Sequence, residues 1–222
     1  MFRSVLPYAQ QAGIETPLVC YQGAAVVDPV SGEWLLHEPI PLELAREAIA
    51  AVEETGFTLN CYVDDELYVA EVTDHARAYA DFQHLPITAV GDLLGWLERP
   101  PTKLVAVHDP AALDALRPRL VEVFGERLYI AKSLPYFLEL ASPRISKGSG
   151  LAFVARHLGF EAPETVAFGD GENDLELLAW AGFGVCVENG HDLLKARADW
   201  ICPGPADEGV ARVLEAYLDS RP

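Results

Sequence analysis

The final third of the chain alternates helix and strand, and that alternation limits the folds open to it. From Lys147 the residues read as a helix 147–158, a strand 165–168, a helix 172–180, the strand "GVCV" at 184–187, a helix 191–198, the strand "WIC" at 200–202 and a helix 208–218. Short apolar strands joined by helices predict a parallel sheet, because parallel neighbours need a crossover and helices cover the faces. In such a sheet the loops at the carboxyl ends of the strands carry the ligand site. One of those loops is "GDGEND", residues 169–174, directly after "VAF".

Upstream the pattern is different. Residues 2–12 read as a helix weakened by Pro7, and "PLVCYQGAAVV" (17–27) as a buried strand, a Gly break and a second strand. The turn residues "DPVSG" make 24–38 a hairpin. After Pro41, the residues Leu44, Ala45, Ala48, Ile49 and Val52 recur at helical spacing, and Gly56 ends the run. Strands 57–63 and 66–72 follow, joined at Asp64-Asp65, whose side chains suit a turn. Then come a helix capped by Asp74 and running to Phe82, a strand 88–90, a helix 92–97 and the strand "KLVAVH". A helix 110–124, expected to break or kink at Pro118, precedes the strands "RLYIAK" and "YFLELA". The order is α-β-β, α-β-α-β, α-β-β. Strand residues Tyr62, Tyr68, Tyr136 and Glu139 are candidates to line a site, with the inward face undecided. Trp34, Trp96, Trp180 and Trp200 read as core or interface filler.

Composition removes several partners. With 34 Asp and Glu against 16 Lys and Arg, the net charge of -18 repels phosphate backbones and anionic lipid, so neither nucleic acid nor a membrane surface is expected to bind. Cys20, Cys61, Cys186 and Cys202 are far apart, form no C-x-x-C and read as buried thiols of a reducing compartment. The six histidines sit at no metal-ligand spacing. No apolar run approaches membrane-spanning length, and the first residues lack signal-peptide character, so a cytoplasmic location is expected.

The chemistry concentrates in "GDGEND". Asp170 projects from a strand end as a hard oxygen donor suited to Mg²⁺. Asn173 can donate an amide hydrogen bond to a phosphate oxygen, and Asp174 can orient a metal-bound water or a lysine. The following helix start favours an anion. A plain helix cap explains the same residue types. A Ca²⁺ loop would need alternating oxygens and a distant Glu, which this spacing lacks. Lys147 in "ISKGSG", 23 positions before Asp170, tips the balance, since a lysine there can neutralise a phosphoryl group.

These stretches carry a family resemblance. "ISKG" followed by "VAFGDGENDLELLAWAGFGVCVENGHDLLKARADWI" is similar to the C-terminal half of Cof-type members of the haloacid dehalogenase (HAD) superfamily. "PLVCYQGAAVVDPVSGEWL" resembles that family's strand and hairpin, and the middle elements resemble its inserted cap. The resemblance implies an α/β fold, with a Rossmann-like parallel-sheet core of residues 1–38 and 142–222 and an α+β cap of residues 39–141. It implies Mg²⁺-dependent hydrolysis of small phosphorylated metabolites. Carried over by position, Asp170 resembles the direct Mg²⁺ ligand and Asp174 the supporting acid. Lys147 and Asn173 resemble the phosphate-binding lysine and amide, with Lys147 and Asp170 acting in catalysis. Gln22 and Gly23 fall where the family has "N-G", Gln22 departing from the usual Asn. Asn189 in "ENG" is a further substrate-binding candidate.

The front of the sequence departs from the family. The aspartyl-phosphate of that chemistry forms on the first Asp of "D-x-D-G-T", and this motif and the "T-G-R" after it are absent from the sequence. "MFRSVLPYAQQAGIETP" resembles the helix that follows them, so the core is expected to be N-terminally truncated and inactive without the Asp pair. A non-catalytic or regulatory binder of phosphorylated metabolites is the alternative. A structural module that uses the cluster only as a cap is a third possibility.

Overall fold

A computed structural model describes residues 1–219, and in it the chain falls into two units, Met1–Ile145 and Ser146–Pro222. The first unit begins with α1 (Phe2–Gln11) and a three-stranded antiparallel sheet, β1 (Leu18–Cys20), β2 (Ala25–Val27) and β3 (Trp34–His37), in that order. Asp28 makes the hairpin turn, its Oδ1 accepting from the N–H groups of Val30 and Ser31 at 2.8 Å. There follow α2 (Leu42–Glu53), β4 (Thr58–Val63), β5 (Glu66–Val69), α3 (Asp74–Gln83), β6 (Ile87–Ala89), α4 (Leu93–Trp96), β7 (Lys103–Val107), α5 (Pro110–Phe124), β8 (Tyr129–Leu134) and β9 (Phe137–Ala141). The strands form one sheet of order β6-β5-β4-β7-β9-β8, antiparallel except for the β5–β6 pair.

Strand alternation splits this sheet into two faces. Leu59, Cys61, Leu104, Ala106, Leu138 and Leu140 pack with Ala48, Ile49 and Val52 of α2 and with Leu113, Leu116 and Leu120 of α5. Burial of each such leucine stabilises the fold by about 2 kcal/mol. Tyr62, Val105, Val107, Phe137 and Ala141 face the other way, against Tyr79 and Ala80 of α3, Ala9 of α1 and Leu18, Ala25 and Val27 of the small sheet.

Local details differ from the sequence expectation at Pro118 and at the cap of α3. Helix α5 runs through Pro118 without a break. The proline removes one hydrogen bond, and the buried Leu113, Leu116, Leu120 and Phe124 on its inner face hold the helix in place. The cap of α3 is Thr73, whose Oγ1 accepts from Ala76 N at 3.1 Å, one residue before Asp74. Trp200 is 46% exposed and fills no core, whereas Trp96 packs on Tyr68 with ring centroids 4.3 Å apart.

The Asp64-Asp65 turn holds both residues at positive φ, as the tight β4–β5 hairpin requires. Asp65 does more than turn the chain. It is 6% exposed, and its carboxylate accepts from the Tyr21 hydroxyl and from the N–H groups of Phe2 (3.1 Å) and Arg3 (2.9 Å), which open α1. Those donors have no partner within their own helix, so a carboxylate distant in sequence caps it.

The second unit holds α6 (Lys147–Leu158), β10 (Val166–Gly169), α7 (Leu175–Trp180), β11 (Phe183–Val187), α8 (Asp192–Lys195), β12 (Trp200–Cys202) and α9 (Gly209–Asp219). The three strands are parallel, in the order β10-β11-β12. Ala167 and Cys186 pack against Leu178 of α7 and Leu194 of α8. Phe168, Val185, Val187 and Cys202 pack against Val210 and Val213 of α9 on the opposite face. Helices thus cover both faces, as the alternation predicts.

All four cysteines are free and buried. Burial pushes the Cys20 thiol up to about 11 and the Cys61 thiol up to about 12, so both stay protonated near neutral pH. Among the described residues, no helix is long and apolar enough to cross a membrane.

Candidate active site

In the second unit the chain leaves β10 at Gly169 and enters a short 3₁₀ turn, Glu172–Asp174, that leads into α7. The turn is tight. A Cβ on Gly171 would collide with Asn173 Oδ1, so only glycine lets the amide fold back over the loop. Asn173 and Asp174 are buried, at 6% and 3% exposure, while Asp170 is exposed at the strand end.

Asp174 organises the cluster. Its Oδ2 accepts from the N–H groups of Asp170 and Gly171, both at 3.0 Å. Its Oδ1 accepts from Lys147 Nζ at 2.5 Å. Lys147 is the first residue of α6, and Ser146 caps that helix reciprocally with Ser149. The lysine reaches Asp174 because α6 and α7 approach closely at Gly148, where any Cβ would strike the Glu176 carbonyl. The loop after β11 joins the same rim, since His191 N donates to the Asp170 carbonyl at 2.8 Å. Asn189 lies exposed in that loop, beside Gly204.

Lys147, Asp170, Asn173, Asp174 and Asn189 therefore gather on one side of one parallel sheet, at the carboxyl ends of β10 and β11. An ammonium group, the start of a twelve-residue helix and a buried amide together favour an anion. The exposed Asp170 carboxylate pairs with no described residue. Among the described residues no group of three or more His, Cys, Asp or Glu converges on a metal position. Mg²⁺ does not require one: it keeps several waters and takes one or two carboxylates together with phosphate oxygens. Asp170 fits that use. Both oxygens of Asp174 are already engaged, which suits it to orienting Lys147 and the loop.

Gln22 and Gly23 lie in the first unit, in the 3₁₀ turn Tyr21–Gly23 between β1 and β2. Gln22 has φ +59, Gly23 φ +100, and Gln22 Nε2 donates to Glu139 Oε2 at 3.1 Å. Tyr21 is also at φ +54, and two adjacent non-glycine residues in the left-handed region mark a strained turn. Glu139 also accepts from Lys103 Nζ at 3.0 Å, with 6% and 5% of the two side chains exposed. Burial opposes both charges, but each holds the other ionised: Lys103 keeps the Glu139 carboxyl below its usual range, and Glu139 lifts Lys103. No sequence motif marks Lys103, and the strand pattern leaves the inward face of Glu139 undecided. The available signal was a charged residue in each of two strands, "KLVAV" and "FLELA", whose other residues are all apolar.

Comparison with known proteins decides the family. The pattern of the haloacid dehalogenase-like hydrolases matches residues 1–214. The chain belongs to the haloacid dehalogenase-like hydrolases. The chain is 29% identical over 221 residues to the 5-amino-6-(5-phospho-D-ribitylamino)uracil phosphatase YitU of Bacillus subtilis, covering 98% of this chain and 82% of the relative. It is 29% identical over 216 residues to the HMP-PP phosphatase of Cronobacter sakazakii, covering 95% and 77%. A crystal structure from Thermotoga maritima superposes with a TM-score of 0.82 at 31% identity, covering 97% of this chain and 81% of that one. The α/β class expected from the sequence is thus the class of the haloacid dehalogenase-like fold.

Proposed function

We propose that the protein is a Mg²⁺-dependent phosphatase of small phosphorylated metabolites, a sugar phosphate or a similar compound, whose aspartyl-phosphate forms on an Asp pair that the given 222 residues do not contain. What carries this reading is Lys147 Nζ, 2.5 Å from Asp174 Oδ1, on the rim where the exposed Asp170 carboxylate pairs with no described residue. Lys147, Asn173 and the start of α6 would hold the phosphoryl oxygens, with Asn189 as a further substrate contact; Gln22 and Gly23, in the first unit, are proposed for substrate binding from the family resemblance alone. Asp170, supported by Asp174, would hold Mg²⁺, which supplies charge neutralisation at the phosphoryl group. The phosphatase relatives in Bacillus and Cronobacter support the same chemistry. A cytoplasmic location accords with the four free, buried thiols. The division into a core of 1–38 and 142–222 and a cap of 39–141 is proposed with it, supported by a six-stranded sheet that lies wholly between Thr58 and Ala141.

The alternative function is a non-catalytic binder of phosphorylated metabolites that uses the same Lys147, Asp170 and Asn173 site. On either account the site binds phosphate, and calorimetric titration of inorganic phosphate with and without Mg²⁺ tests that. Affinity should rise with Mg²⁺ in the wild type, lose that dependence in Asp170→Asn and disappear in Lys147→Ala. An unchanged affinity in both variants removes the site. Turnover then separates the two functions. With a D-x-D-G-T strand fused ahead of Met1, a phosphatase hydrolyses p-nitrophenyl phosphate, whereas a binder does not; the 222 residues alone are expected to bind without turnover.

A further inference from the structure

Asp170 bears the exposed carboxylate of the phosphate loop, and two loops grip its backbone. Asp174 Oδ2 accepts from the N–H groups of Asp170 and Gly171, both at 3.0 Å. From the neighbouring loop, His191 N donates to the Asp170 carbonyl at 2.8 Å. The Asp170 carbonyl and the Gly171 N–H belong to one peptide unit, and in a trans peptide these two groups point in opposite directions. Asp174 and His191 therefore hold that unit from opposite sides. The grip matters because Gly171 follows, and glycine offers little resistance to rotation of the peptide beside it.

The β11 loop builds the His191 side of the grip. Glu188 N donates to the Cys202 carbonyl at 2.9 Å and Gly190 N to the Val187 carbonyl at 2.8 Å, which folds the loop back over the strand end. The approach is close: a Cβ on Gly190 would lie 3.2 Å from the Asp170 carbonyl oxygen and 2.6 Å from Cys186 Sγ. His191 then caps α8. Its Nδ1 accepts from Leu193 N at 3.3 Å, and its carbonyl accepts from Leu194 N and Lys195 N, both at 3.0 Å. Leu194 is fully buried with Ala167, Leu178 and Cys186, so α8 is anchored to the sheet. His191 is exposed, and its tie to Asp170 runs through the backbone N–H.

We propose that His191 is a positioning residue for Asp170. By capping α8, its side chain fixes the N–H that holds the Asp170 carbonyl, and so sets the backbone from which the Asp170 carboxylate leaves the strand end. This rests on the Mg²⁺ role proposed for Asp170 and adds to it a histidine that touches neither metal nor phosphate. The cap needs only an acceptor, and asparagine is among the residues that supply one best.

Inorganic phosphate is titrated calorimetrically into the 222-residue protein, His191→Ala and His191→Asn across a series of Mg²⁺ concentrations. Protection of the backbone amide at position 191 from hydrogen exchange is followed by NMR without either ion. His191 is exposed, so both variants should fold, which a melting curve checks. His191→Ala should leave the affinity for phosphate alone unchanged, since Lys147 and Asn173 are untouched. It should raise the Mg²⁺ concentration needed for half the added affinity roughly fivefold. Protection at position 191 should fall by a similar factor, and His191→Asn should restore both. An unchanged Mg²⁺ requirement or unchanged protection in His191→Ala overturns the proposal. So does an equal loss of phosphate affinity without Mg²⁺, which general damage to the loop would give. Asparagine as weak as alanine overturns it too, since the ring would then act by touching the ligand. Wild-type affinity indifferent to Mg²⁺ is a different failure: it removes the metal role of Asp170, and the positioning role with it.

Discussion

Replacing Asp174 tests the organisation of the phosphate loop directly. The side chain is 4% exposed and makes three charge-assisted contacts: two backbone N–H groups on Oδ2 and Lys147 on Oδ1. A hydrogen bond to a charged acceptor contributes about 1.5–3 kcal/mol. Asp170 is exposed and Gly171 half-buried, so water replaces part of each loss, leaving about 1 kcal/mol per N–H. Lys147 is 32% exposed, and the ion pair discounted for screening adds about 1 kcal/mol. Asp174→Ala should therefore cost about 3 kcal/mol, a fall in Tm of about 6–12 °C for a chain of this size. Asp174→Asn keeps an oxygen for both N–H groups and loses only the ion pair, so it should cost about 1 kcal/mol. Urea and thermal unfolding followed by circular dichroism measure both. If alanine costs less than about 1 kcal/mol, or asparagine as much as alanine, Asp174 does not organise this loop in the way its contacts indicate.

Other consequences follow from the same geometry. The Lys103–Glu139 pair is buried, so Lys103→Met and Glu139→Leu should each cost about 3–5 kcal/mol, while the double variant costs less than the sum; additive losses in a double-mutant cycle would contradict a coupled pair. The Glu139 carboxyl is held below its usual 4.5, so the stability it contributes is complete above 4.5 and lost as pH falls through its depressed value in the folded state. Acid titration of stability should thus show the gap between wild type and Glu139→Gln closing below pH 4.5; a gap that is constant with pH would refute the linkage. Gly148→Ala sets a methyl 2.7 Å from the Glu176 carbonyl carbon, which should cost about 1–3 kcal/mol and weaken phosphate binding by displacing Lys147; a neutral result in both assays would mean that α6 and α7 can separate freely.

The parallel C-terminal sheet was legible because its signals are local: apolar strands, helical spacing and a carboxylate loop at a strand end. The same holds for the Lys147 to "GDGEND" pairing, whose members turned out to lie on one rim. The element order of the first unit was legible too, but not the side of each strand that faces inward. Tyr62 and Glu139 could not be told from Tyr68, because a strand whose two faces are both covered shows no polar alternation. The left-handed pair Tyr21-Gln22 was also hidden. "YQG" carries only one glycine, and the conformation of its neighbours is imposed by distant contacts such as Tyr21 to Asp65. Pro118 misled for a related reason, since packing along one helix face outweighs a single missing hydrogen bond.

The hairpin tip at Asp64-Asp65 looks like an ideal place for an engineer to insert a tag, a fluorophore or a foreign loop. It is a poor choice. Half of the tip is tethered: Asp64 is 61% exposed, but the Asp65 carboxylate is buried and holds the start of a helix 62 residues away in sequence. An insertion there would unmoor the amino-terminal helix while leaving its host strands intact, and the damage would surface far from the scar.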